Sequence, residues 1–110
     1  MLAELIVSAL VLTTADAGAA GAVVAELETA ALARLLAESA LGRTAIAGGG
    51  AVAHEVDILD TWAAWYRDAL ATASDIEVGG VSPATQAAIA RSAARVEAAR
   101  QAAVAGLTPR

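Results

Sequence analysis

His54, Glu55, Asp57 and Asp60 are the side chains of this sequence that come closest to a chemical constellation. An imidazole beside carboxylates could pass a proton or share a cation. A zinc site needs three or four such ligands, and there is neither a second histidine nor any cysteine to supply them. At about 100° per residue, Asp57 and Asp60 fall on the polar face of the helix that follows, so they read as solvated acids at a junction. The serines, Ser8, Ser39, Ser74, Ser82 and Ser92, stand in no nucleophile-elbow context, and the chain has no lysine to act as their base. Gly48-Gly49-Gly50 is not followed by the Lys-Ser/Thr of a phosphate-cradling loop. The expectation is a protein with no catalytic residues, no metal and no cofactor, hence not an enzyme.

Binding is the remaining chemistry. Residues 1–77 hold eleven acids and three arginines, a net −8, whereas residues 78–110 hold four arginines and Glu97, a net +3. A basic segment on an acidic body favours head-to-tail contacts between copies, or a local contact with a polyanion. Arg91, Arg95 and Arg100 are the candidates for touching a polyanion or an acidic partner. They lack interleaved aromatics, which makes nucleic acid the less favoured of the two. Trp62, Trp65 and Tyr66, the only aromatics, stand at i, i+3 and i+4. They read as core or as interface anchors, with Trp65 at the edge of the apolar arc. Leu32 and Leu36 join them as candidate interface residues.

The elements that must position these groups are mostly α-helical. The chain is 58% hydrophobic, but much of that is alanine and none is phenylalanine. Alanine makes helices easy to form and contributes little buried area, so the helices need neighbours. The 110 residues are expected to form one helical domain. It would comprise an apolar N-terminal segment (1–18), a helix–hairpin–helix core (19–74) and a C-terminal helix (82–106).

Leu2–Leu12 is strongly apolar and Ala15-Asp16-Ala17 resembles a signal cleavage site, but the start carries Glu4 and no basic residue. A membrane span over 5–25 would have to bury Asp16, Thr13 and Thr14. A buried or interface segment is the expectation, and a membrane partner is disfavoured. Residues 13–21 break the pattern, and a helix resumes over 19–41 with Gly42 as its C-cap. In it Leu27, Leu32, Leu35, Leu36 and Leu41 point in different directions, which predicts burial on several sides.

Thr44, Ile46 and Val52 around the triple glycine predict a short β-hairpin over 43–54. Residues 55–74 form a clean amphipathic helix, with Ile58, Leu59, Trp62, Trp65, Tyr66, Ala69, Leu70 and Ala73 on one half of the wheel. Ser82-Pro83 announces the last helix, and Gly106 and Pro109 close it.

The stretch around Gly42-Arg43, Gly48–Gly50, Val52 and Ile58 to Tyr66 resembles the small head-to-tail joining proteins of tailed phages, over about a third of the chain. That resemblance implies two helices flanking a hairpin and many copies in a ring. It also implies portal or tail proteins as partners and a place in the virion neck. The leading expectation is therefore a non-enzymatic structural assembly protein, a homo-oligomer that contacts other structural proteins. The alternatives are a membrane-associated or secreted helical protein, and a cytoplasmic helical adaptor or regulatory binding module.

Overall fold

The computed structural model describes residues 17–76 and 81–108, so the apolar run Leu2–Leu12 lies outside the described residues. Three helices make up the architecture: α1 (Ala17–Ala47), α2 (Val52–Thr72) and α3 (Pro83–Ala105), with a short 3-10 turn at Ala73–Ile76 after α2. The mostly α class expected from the composition is what the chain adopts. Glu28 meets Ser92, and Ser39 meets Ala103. The constant offset of 64 residues means that α1 and α3 run parallel. Arg67 reaches Glu97 and Arg100 reaches Asp60, so α2 runs antiparallel to α3. The result is an up-down-up bundle about 51 Å long.

The hairpin expected over 43–54 does not form; among the described residues there is no strand. α1 continues through Thr44 and Ile46 to Ala47. The triple glycine then ends it in a Schellman motif. Gly50 N–H donates to the Ala45 carbonyl at 2.8 Å and Gly49 N–H to the Ile46 carbonyl at 3.0 Å. Gly49 takes the left-handed φ of +100° that this closure requires. The β-branched Thr44, Ile46 and Val52 suggested strands, but a glycine-rich turn closes a helix as readily as it joins a hairpin. α2 accordingly starts at Val52, three residues before the sequence pattern put it.

Gly42 is not a cap either. It lies inside α1, level with the end of α3, where Leu107 packs onto it. A Cβ at Gly42 would sit 2.6 Å from Leu107 Cδ2 and 3.4 Å from Glu55 Cβ. Glycine is there to let Leu107, itself buried, pack against the helix.

The burial of α1 also departs from expectation. Ala20, Val23, Val24, Leu27, Ala31, Leu35 and Ser39 form one buried stripe at spacings of three and four. Alanine populates every other side of the helix as well, which hides this stripe on a wheel. Leu32, Leu36 and Leu41 lie outside it and are exposed.

α2 follows its pattern closely. Leu59, Tyr66, Ala69 and Leu70 are buried, while Asp57, Asp60, Thr61, Asp68 and Thr72 face solvent. α3 begins as the Ser82-Pro83 pair predicts, with the Ser82 hydroxyl accepting from Thr85 N–H and proline in the first turn. Its buried side chains are small or polar: Thr85, Ser92, Val96 and Ala103.

Candidate interaction surface

Where α1 and α3 run parallel, a groove follows their seam. Its two halves differ. Near the start of α1, Glu28, Thr29, Ala88, Arg91, Ser92 and Arg95 line a polar hollow of about 250 Å³. Further along, Leu32, Leu35, Leu36, Ala99, Ala102 and Ala103 line an apolar hollow of about 330 Å³, with Ser39, Arg43 and Gly106 also in its wall. Leu36 is 73% exposed at its edge and Leu32 37%.

Two buried serines fasten this seam from inside. Ser39 Oγ donates to the Ala103 carbonyl at 2.8 Å, and Arg43 Nη1 donates to Ser39 Oγ at 3.3 Å. The Ala103 carbonyl is free to accept because α3 is ending. Leu107 N–H, which would close the next helical bond onto it, goes to the Val104 carbonyl instead. At the other end Ser92 Oγ donates to Glu28 Oε1 at 2.6 Å, and Arg95 Nη1 pairs with the same carboxylate at 3.0 Å. The Ser92 hydroxyl first, and then Arg95, hold the Glu28 carboxyl below its ordinary range against the opposing effect of desolvation.

The seam between α2 and α3 is built differently. Glu97 accepts from Arg67 at 2.7 Å and from Arg100 at 2.6 Å, and Arg100 reaches on to Asp60 at 2.9 Å. The Arg100 guanidinium, above all through its hydrogen bonds, pulls the Glu97 carboxyl down from its ordinary 4.5 to about 2. The same contacts raise Arg100, which stays charged throughout.

The aromatic trio lies on α2. Tyr66 is buried, while Trp62 and Trp65 are half-buried. The Trp65 and Tyr66 rings meet edge to face at 4.9 Å, as do Trp62 and Trp65 at 6.0 Å. Arg34 of α1 stacks over the Trp62 ring at 4.3 Å. Trp65 borders a shallow hollow with Asp68, Ala69 and Thr72.

Of the candidate side chains, Leu32 and Leu36 thus come together with one another and with α3. Trp62, Trp65 and Tyr66 form a separate cluster on α2. Arg95 and Arg100 are engaged by acids of the same chain. Arg91 sits in the polar half of the groove with no ion pair among the described residues. His54 is exposed in the first turn of α2, and among the described residues no three His, Cys, Asp or Glu side chains converge as metal ligands.

Sequence reasoning missed Ser39, Ser92, Glu28 and Glu97. A signal existed for the serines: Ser39 continues the buried stripe four residues after Leu35, and Ser92 precedes Val96 by four. The groove's far wall, Ala99, Ala102 and Gly106, carried no signal.

No protein family, no characterised protein and no solved structure matches this chain.

Proposed function

We propose that this chain is a non-enzymatic helical assembly module that works by protein–protein contact, with the α1–α3 groove as the surface that receives a partner helix. The observation that carries this reading is Leu36, a large apolar side chain 73% exposed at the rim of an apolar hollow. A cleft lined by leucine and alanine offers apolar area and a shape that a helix ridge fills, while Arg43 and Arg91 at its two ends can fix direction. The simplest partner is a second copy of the chain.

A place in a phage virion neck is a narrower form of the same reading. Its motif centred on a hairpin, and residues 43–54 form a helix end, a turn and a helix start, so the groove carries the proposal in place of the resemblance. A polyanion contact has less support, since Glu28, Glu97 and Asp60 already engage Arg95 and Arg100. Among the described residues no helix is long and apolar enough to cross a membrane.

Sedimentation or native mass spectrometry of the full chain over a range of concentrations tests the reading. A mass above one chain is expected, and Leu36→Asp should weaken association at least about tenfold, the effect of about 1.4 kcal/mol at an interface. A single-chain mass at every concentration, unchanged by Leu36→Asp, would overturn it.

A further inference from the structure

We infer that in the unassembled chain the α1–α3 groove is occupied by the chain's own Leu2–Leu12 segment, folded back from the start of α1. The inference rests on the groove being a docking surface, and it adds the occupant that a partner helix must displace.

Three observations favour this occupant. The first is reach. Sixteen residues precede α1, and at about 3.3 Å each they extend up to roughly 50 Å. The distance from the start of α1 to Leu36 is about 29 Å at 1.5 Å per residue.

The second is the order of polarity. Going back from α1, the chain reads Asp16, Ala15, Thr14, Thr13 and then the apolar run Leu12 to Leu2. Going along the groove from the start of α1, the polar hollow with Glu28, Arg91 and Ser92 comes first, and the apolar hollow with Leu32, Leu36 and Ala99 follows. A segment that turns back at 13–16 and runs on extended at about 3.3 Å per residue brings its far end, Leu2 and Leu5, alongside the apolar hollow.

The third is charge. The groove carries Arg43, Arg91 and Arg95 against Glu28, whereas the segment carries Glu4 and no basic side chain. An acid on the incoming segment meets a net positive wall.

The chain has no cysteine, so introduced pairs report proximity cleanly. Full-length chains would carry Leu36→Cys together with Leu2→Cys, Leu5→Cys or Ala9→Cys. Control chains would pair the same first positions with Leu41→Cys, which is 63% exposed and lines no part of the groove. At high dilution under mild oxidation, at least one Leu36→Cys pair should close an intrachain disulfide about tenfold faster than its control. Hydrogen exchange gives a second readout without cysteines: Leu36→Asp should speed amide exchange over residues 2–12 about tenfold while that of α2 stays slow. Equal crosslinking rates, a product of twice the chain mass, or exchange over 2–12 that ignores Leu36→Asp would each overturn the inference.

The two readings fail separately. No intrachain crosslink in a chain that still associates removes the occupant and leaves the assembly module. A rapid intrachain crosslink in a chain that never associates removes the assembly module and leaves the occupant.

Discussion

Along the α2–α3 seam, charged side chains close over the outside: Glu97 is held by Arg67 and Arg100, and Arg100 bridges on to Asp60. Along the α1–α3 seam one surface ion pair, Arg95 to Glu28, stands at the polar end beside the ties of Ser39 and Ser92, and the rest of the outside is left as a groove with leucines at its lip. The difference follows from which side chains each helix presents. α2 brings long polar residues to the edge of its buried face, and they fold over the joint. Beyond Glu28, α1 brings alanine, serine and leucine to its edge with α3, and these leave the apolar half of the seam uncovered. A joint fastened by internal hydrogen bonds with an apolar mouth is ready to accept another helix, whereas one roofed by ion pairs is finished. The contrast thus separates a structural face from a binding face.

The largest effects should come from leucines that anchor the two sides. Leu35 and Leu59 are both about 1% exposed. Leu59→Ala, on the fully buried face of α2, should cost about 3–5 kcal/mol, because its cavity has nothing to fill it. Leu35→Ala, on the floor of the groove, should cost about 2–3 kcal/mol, because neighbours and water can enter the space. Denaturant unfolding monitored by circular dichroism measures both, and equal costs would erase the contrast. Gly42→Val tests the closed end of the bundle. Its side chain would drive Leu107 out of place and crowd Glu55, for a loss of about 1–2 kcal/mol by overpacking. A neutral or stabilising result would mean that Leu107 yields freely.

How far these features could be read from the residues depends on the contrast between side chains. α2 was legible because Trp62, Trp65, Tyr66 and Leu70 alternate with acids and threonines, so one half of the wheel stands out. The start of α3 was legible because a serine cap followed by proline has few other uses. α1 was half legible: its existence followed from alanine, but its buried stripe did not, since alanine looks the same inside and out. The triple glycine was misread because β-branched neighbours and glycine describe two structures equally well locally; packing of Leu107 on Gly42 and of α2 on α1 favours the helical one. Leu32 and Leu36 read as interface candidates on a helix buried on several sides, and the structure leaves both exposed. The cleft beside them depends on how α3 lies against α1, a relation between residues about 64 apart that no local pattern encodes.

Ser39→Ala probes the internal fastening directly. It removes the donor to the Ala103 carbonyl and the acceptor for Arg43. Ser39 is 3% exposed, so the carbonyl is left with poor access to water. A loss of about 1–2 kcal/mol is expected, as for a buried group deprived of its partner. Because the hydroxyl is uncharged, the loss measured by thermal unfolding should hardly change between low and high salt. A strongly salt-dependent loss would place the fastening in Arg43 instead of in the hydroxyl.

Glu97→Gln probes the roof of the other seam and should have the smallest effect, since exposed ion pairs contribute little even when networked. Its value lies in how it varies. The Glu97 carboxyl sits at about 2 in the folded chain against an ordinary 4.5. A carboxyl lowered on folding stabilises the fold wherever it is ionised in both states. That contribution is complete above about 4.5 and is lost as the pH falls towards about 2. The melting temperature of the wild-type chain should therefore exceed that of Glu97→Gln near neutral pH, and the gap should close through this acidic window. It should also shrink in about 1 M salt, where the screening length falls to about 3 Å. Ser39→Ala should show neither dependence. If the Glu97→Gln gap survives both acid and salt, the carboxylate acts by packing and hydrogen bonding alone, and the two seams are fastened by the same physics after all.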